Sequence, residues 1–101
     1  MARLNFRLTS IALNDEEEVS AVTAIVRPPT RDLIVDLIGP DAAEFTPAAN
    51  GFELMVTLPA RSMHELFSKA GKLSGTDPRY EMGVYDLYDS LSMVVYRLCE
   101  D

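Results

Sequence analysis

The sequence has no tryptophan, one cysteine (Cys99), one histidine (His64) and nine Lys/Arg residues against sixteen Asp/Glu over 101 positions. Each shortage removes a class of function. A single cysteine makes no intrachain disulfide, which fits a reducing compartment. One histidine with one cysteine cannot assemble a zinc set. A formal net charge of −7 leaves no basic footprint for a nucleic-acid backbone, whose phosphate contacts dominate such binding. The same charge disfavours an anionic membrane surface. Apolar runs are a few residues long, against the ~20 that a membrane helix needs. Met1 to Asn5 carries no apolar signal core. The expectation is a cytoplasmic protein that binds neither nucleic acid nor membrane.

Motif chemistry is also scarce. There is no G-x-x-x-x-G-K-[ST] and no G-x-G-x-x-G, so phosphate cradling by a glycine loop is not indicated. Residues 15–18 lack the spacing and the glycine of a calcium loop. No metal, no cofactor and no catalytic residue is therefore expected. A Cys99–His64 pair would need the fold to bring the two together, and no cysteine-hydrolase signature accompanies them. Asp36, set among Ile34, Val35, Leu37 and Ile38, reads as an outward-pointing carboxylate on an edge strand, where it discourages pairing.

What is present is ordinary globular material, 48% hydrophobic and 25% charged, close to the average for soluble domains. The length suits one domain, residues 1–101, with one core. Leu4, Phe6 and Leu8 alternate with polar residues, the period-two signature of a half-buried strand. The apolar parity switches at Ile11 and Leu13, which predicts either a bulge near Thr9–Ser10 or a stretch covered on both faces. Residues 19–26, rich in Val, Ile and Thr, form a second strand, paired with the first across the acidic turn 14–18. Pro28–Pro29 stops it. Leu33, Val35 and Leu37 suggest a third strand ended by Gly39–Pro40. A long connection follows over 39–51, and the alternation from Phe52 to Leu58 gives a fourth strand.

Two helices complete the expected chain. Ser62 and Glu65 read as a capping box. Met63, Leu66, Phe67 and Ala70 supply an apolar face behind it, with Gly71 as the terminator. The last segment fits two readings. The stripe Val84, Leu87, Tyr88, Leu91, Val94, Val95, Leu98 predicts a helix over residues 78–98, with Asp77 as N-cap and Pro78 at its first position. A terminal β-hairpin is the alternative. The predicted fold is α+β: a four-stranded, mainly antiparallel sheet followed by two helices packed on one face.

On a terminal helix, Met82, Tyr85, Asp89, Met93 and Tyr96 would form a second stripe away from the core. Tyr and Met are enriched at protein interfaces, so Tyr85, Asp89, Met93 and Tyr96 are candidate partner-binding residues. The acidic tip Asp15, Glu16, Glu17 and Glu18 is the next candidate, and a partner with a basic surface suits its charge. The expected function is a non-enzymatic protein-binding module. Toxin-neutralising immunity proteins and phage-encoded inhibitors of host defence complexes are similar in kind, being small, acidic and free of catalytic motifs. A homo-oligomeric structural or accessory protein is the second expectation, and a small enzyme with an unrecognised site the third.

Overall fold

The computed structural model describes residues 3–86 and 90–99. The chain is α+β, as its patterning predicts, and its described residues form five strands and three helices in place of four and two. The elements are β1 (Leu4–Leu13), β2 (Val19–Val26), α1 (Pro28–Ile38), β3 (Glu44–Pro47), β4 (Leu54–Pro59), α2 (Ala60–Ser74), β5 (Met82–Tyr85) and α3 (Ser90–Leu98). The sheet order is β3-β4-β2-β1-β5. All neighbours pair antiparallel except β1 and β5, which are parallel.

The first hairpin forms as its alternation requires. Leu4, Phe6 and Leu8 are buried while Asn5, Arg7 and Thr9 are exposed. The register shifts between Leu8 and Ser10, so Thr9 is the extra residue, and its hydroxyl donates to the Thr23 carbonyl at 3.2 Å. This is the predicted bulge. It moves Ile11 onto the core side, where it packs against the cluster that Leu8 joins. At the tip, the Asn14 side chain accepts from the amides of Glu16 and Glu18 at 2.9 and 3.0 Å. Glu17 takes the left-handed conformation with φ +62°, a position that a glycine or asparagine fills with less strain.

Residues 33–38 are a helix and not a strand. Pro28 and Pro29 stop β2, but they also occupy the first helical positions of α1, where a missing N–H costs nothing and the fixed φ suits the helix. Thr30, Leu33 and Ile34 are its buried residues. Asp32 and Asp36, four apart, share the exposed side. Asp36 is thus a solvated helix residue, and the edge-strand reading fails. Gly39, at φ +87°, ends α1 and donates its amide to the Val35 carbonyl at 2.8 Å. The connection 39–51 is not structureless, since it contains β3, which pairs with β4.

The α2 face is as predicted, with Met63, Leu66 and Ala70 buried, but both of its ends move outward. The helix follows β4 without a loop, with Pro59 in the N-cap position. Ser62 lies inside the helix, buried, and caps nothing. Gly71 is also internal, and Gly75 terminates. Lys69 ties α2 to α1 by donating to the Leu37 carbonyl at 3.0 Å, a cation placed on the negative end of a helix.

The C-terminal segment bears out the helix reading only over Ser90–Leu98, and the terminal hairpin does not describe it. Asp77 caps and Pro78 begins only a short 3₁₀ turn, Pro78–Tyr80. Arg79 donates side-chain and backbone hydrogen bonds to the Asp77 carboxylate, holding it below the ordinary carboxylate range. That pairing is present at neutral pH and is lost as pH falls through the depressed value. Met82–Tyr85 then adds to β1 as the parallel edge strand β5. The helix begins only at Ser90, near where the Asp86 carboxylate accepts the Leu91 amide at 2.7 Å. Leu87, Tyr88 and Asp89 lie outside the described residues.

One buried cluster joins the core faces of β1, β2, β4 and β5 to Leu33, Ile34, Met63, Leu66, Ala70 and Val95. All three helices therefore cover one face of the sheet. Among the described residues, no helix covers the other face. Among the described residues, no helix is long and apolar enough to cross a membrane.

Candidate functional site

The open face is organised by register. Tyr85 pairs with Arg7, Arg7 with Ile25, Ile25 with Met55, and Met55 with Thr46. These five residues form one row across all five strands, because side chains at paired positions share a face. Tyr85 is 57% exposed and Met55 37%. Arg7 pairs with Glu53 at 3.3 Å, and Glu53 also accepts from the Asn50 side chain at 2.7 Å.

Gly83 sets the position of Tyr85. A Cβ at Gly83 would lie 2.6 Å from the Tyr85 hydroxyl oxygen, 2.7 Å from Asn5 Oδ1 and 2.8 Å from Tyr85 Cε2. The tyrosine therefore folds back over the glycine, two residues earlier on the same strand. A glycine within a strand often marks such a close approach. Gly83→Ala should displace the ring while leaving the fold in place, because the obstructing atoms end mobile side chains on an exposed face. Gly83→Ala should keep the melting temperature within a few degrees, the shift expected of about 0.5 kcal/mol. It should change the Tyr85 ring chemical shifts. Unchanged ring shifts would contradict the stacking.

A hollow of about 530 Å³ opens on this face where β1, β2 and β5 meet the start of α1. Arg3, Asn5, Arg7, Ile25, Arg27, Glu53 and Tyr85 are among its lining residues. Three of the nine cationic residues of an acidic chain gather here. Sequence reading misses this group because the three arginines are spread over 25 residues and belong to no motif. The available signal is parity: Arg3, Arg7 and Tyr85 fall on the polar side of their strands once the pairing of β5 is known.

The candidate interface residues separate. Tyr85 belongs to the open face. Met93 and Tyr96 are on α3, and Asp89 lies outside the described residues, so a single helical stripe through all four does not exist. Tyr96 has a structural task. Its hydroxyl accepts the Val84 amide at 3.3 Å, and its ring packs edge-on against Phe67 with centroids 5.9 Å apart. The hydroxyl thus occupies an outward N–H of β5 that would otherwise be an exposed sheet edge. Met93 is exposed on α3. Asp15, Glu16, Glu17 and Glu18 are exposed at the hairpin tip, joined to the open face through the strands they link.

The fold does bring His64 and Cys99 together, as lining residues of one shallow hollow with Phe67, Ser68, Gly71 and Lys72. Among the described residues no group of three or more His, Cys, Asp or Glu is placed to hold a metal ion. No protein-family model matches this chain, and no curated protein or solved structure matches it at a significant level.

Proposed function

We propose that this protein is a non-enzymatic protein-binding module whose working surface is the open face of the sheet. An inhibitor or immunity-type protein is the kind of molecule this describes. One observation carries the reading: the row Tyr85, Arg7, Ile25, Met55 crosses the sheet on the side that no helix covers. Tyrosine and arginine anchor protein interfaces more often than other residues do. An exposed aromatic with a methionine nearby supplies adaptable apolar contact around a charged centre. The acidic tip 15–18 extends the same hairpin and offers a charged rim.

The test compares binding by the intact chain with that of Tyr85→Ala/Met55→Ala. Partner capture from the source cell's extract, quantified protein by protein, should fall tenfold or more in the double variant, roughly 1.4 kcal/mol of binding free energy. His64→Ala and Cys99→Ser should capture as the parent does. Retention of the same partners in the same amounts by the double variant would exclude this face. A solution mass of twice 11.2 kDa, lost in the double variant, would identify the partner as a second copy, the homo-oligomeric form of the same reading.

A further inference from the structure

We propose that the arginine-lined hollow is a binding site for a phosphomonoester carried on a flat apolar group. This inference goes beyond the protein-binding reading and does not rest on it.

The charge of the hollow comes first. Arg3, Arg7 and Arg27 face one carboxylate, Glu53, which leaves two positive charges in the lining. Among the described residues Glu53 pairs with Arg7, and neither Arg3 nor Arg27 has an acidic partner. In a chain of net charge −7, two guanidiniums left without carboxylates beside a third are a local reversal of sign. A phosphomonoester carries about −1.5 to −2 charges near neutral pH and three acceptor oxygens. It therefore balances this lining and engages more than one guanidinium fork, whereas a single carboxylate fills only one.

The backbone holds this charge in place. Arg27 occupies the N-cap position of α1, and Pro29 and Thr30 of its first turn line the hollow. The Thr30 hydroxyl donates to the Arg3 carbonyl at 2.5 Å, which pins the start of β1 to the start of α1. Arg3 and Arg27 are thereby carried on two elements tied at this point.

Shape supplies the rest of the ligand. A hollow of about 530 Å³ falls within the ~300–1,000 Å³ typical of small-molecule sites and exceeds what an inorganic anion fills. The Tyr85 ring, folded over Gly83, forms one side, and Ile25 and Pro29 add apolar surface. A flat group attached to the phosphate has an aromatic ring to lie against.

The test is a titration of the intact protein at fixed ionic strength, following the arginine Nε–H resonances. Phenyl phosphate should shift the Arg3, Arg7 and Arg27 signals saturably. Inorganic phosphate should move the same signals with weaker affinity, and phenol should leave them unmoved. Arg3→Gln/Arg27→Gln should weaken phenyl phosphate tenfold or more with the amide spectrum otherwise preserved. Arg27→Lys, which keeps the charge but not the fork, should weaken it severalfold and carries the test if the double variant does not fold. Tyr85→Ala should bring phenyl phosphate down to the affinity of inorganic phosphate. Absence of a saturable shift at these arginines, or equal binding by the arginine variants, would overturn the site. Benzoate binding as tightly as phenyl phosphate would overturn the assignment of its ligand.

Discussion

Phe6→Ala should lower the free energy of unfolding by about 3–5 kcal/mol, the usual cost of emptying a core phenylalanine site. Phe6 is fully buried on β1, paired with Val84 of the edge strand on one side. It sits in the cluster that joins the sheet to its helices. A domain of this size has roughly 5–15 kcal/mol of net stability, so the substitution removes a large share of it. Phe52→Ala is the matched comparison. Phe52 is 83% exposed in the turn before β4, and its removal should change stability by no more than about 0.5 kcal/mol. Urea denaturation of the two variants gives the comparison directly, since a moved midpoint with an unchanged slope reports stability alone. Similar midpoints for the two would contradict the burial of Phe6 in the core.

Ile34→Ala should cost about 2–5 kcal/mol, whereas Asp36→Ala should be near neutral, within about 0.5 kcal/mol. Both residues fall on the same face if residues 33–38 are a strand, because they are two apart. On a helix, two residues apart are some 200° around the axis, so one can be buried while the other is solvated. Ile34 is fully buried and Asp36 exposed. Alanine at position 36 also has the better helix propensity, which offsets any lost surface interaction. A destabilisation of Asp36→Ala equal to that of Ile34→Ala would contradict the helix. Thermal or urea melts of the two variants decide the question.

The parts legible in the sequence are those in which local pattern and tertiary demand agree. The β1–β2 hairpin, its bulge after Leu8 and the apolar face of α2 follow from periodicity alone. Residues 33–38 misled because Ile34 and Ile38 make both strand faces apolar, so alternation and helical spacing fit equally well. The decisive signal was Pro28–Pro29, which marks a helix start as readily as a strand end. At the C-terminus the helical stripe from Val84 to Leu98 is real in spacing but is cut by a tertiary requirement. Leu4–Arg7 of β1 takes an edge partner, and Met82–Tyr85 fills that place.

The candidate site followed the same division. The spacing sets Tyr85 on one helical face with Met93 and Tyr96, whereas it stands on β5 and those two on α3. Tyr96 also supports the β5 edge through the Val84 amide, a task that its spacing alone does not reveal. The arginines belong to no motif, and Tyr85 joins them only through the parallel pairing of β1 with β5, residues 78 positions apart that no local pattern links. Composition misled in the same direction. A net charge of −7 describes the whole chain and hides a small region of opposite sign.

The central claim is that Tyr85 stands on the open sheet face, over Gly83 and beside Arg7, and not on a helix with Met93 and Tyr96. Proton–proton contacts measured by NMR in the unmodified protein test it most directly. Contacts are expected from the Tyr85 ring to the Gly83 α-protons and the Asn5 side chain, with the Gly83 α-protons moved by the ring current. Interstrand contacts are also expected between residues 82–85 and 4–7. Medium-range helical contacts between residues three apart across 82–86, with no contact from the Tyr85 ring to Gly83 or Asn5, would contradict it.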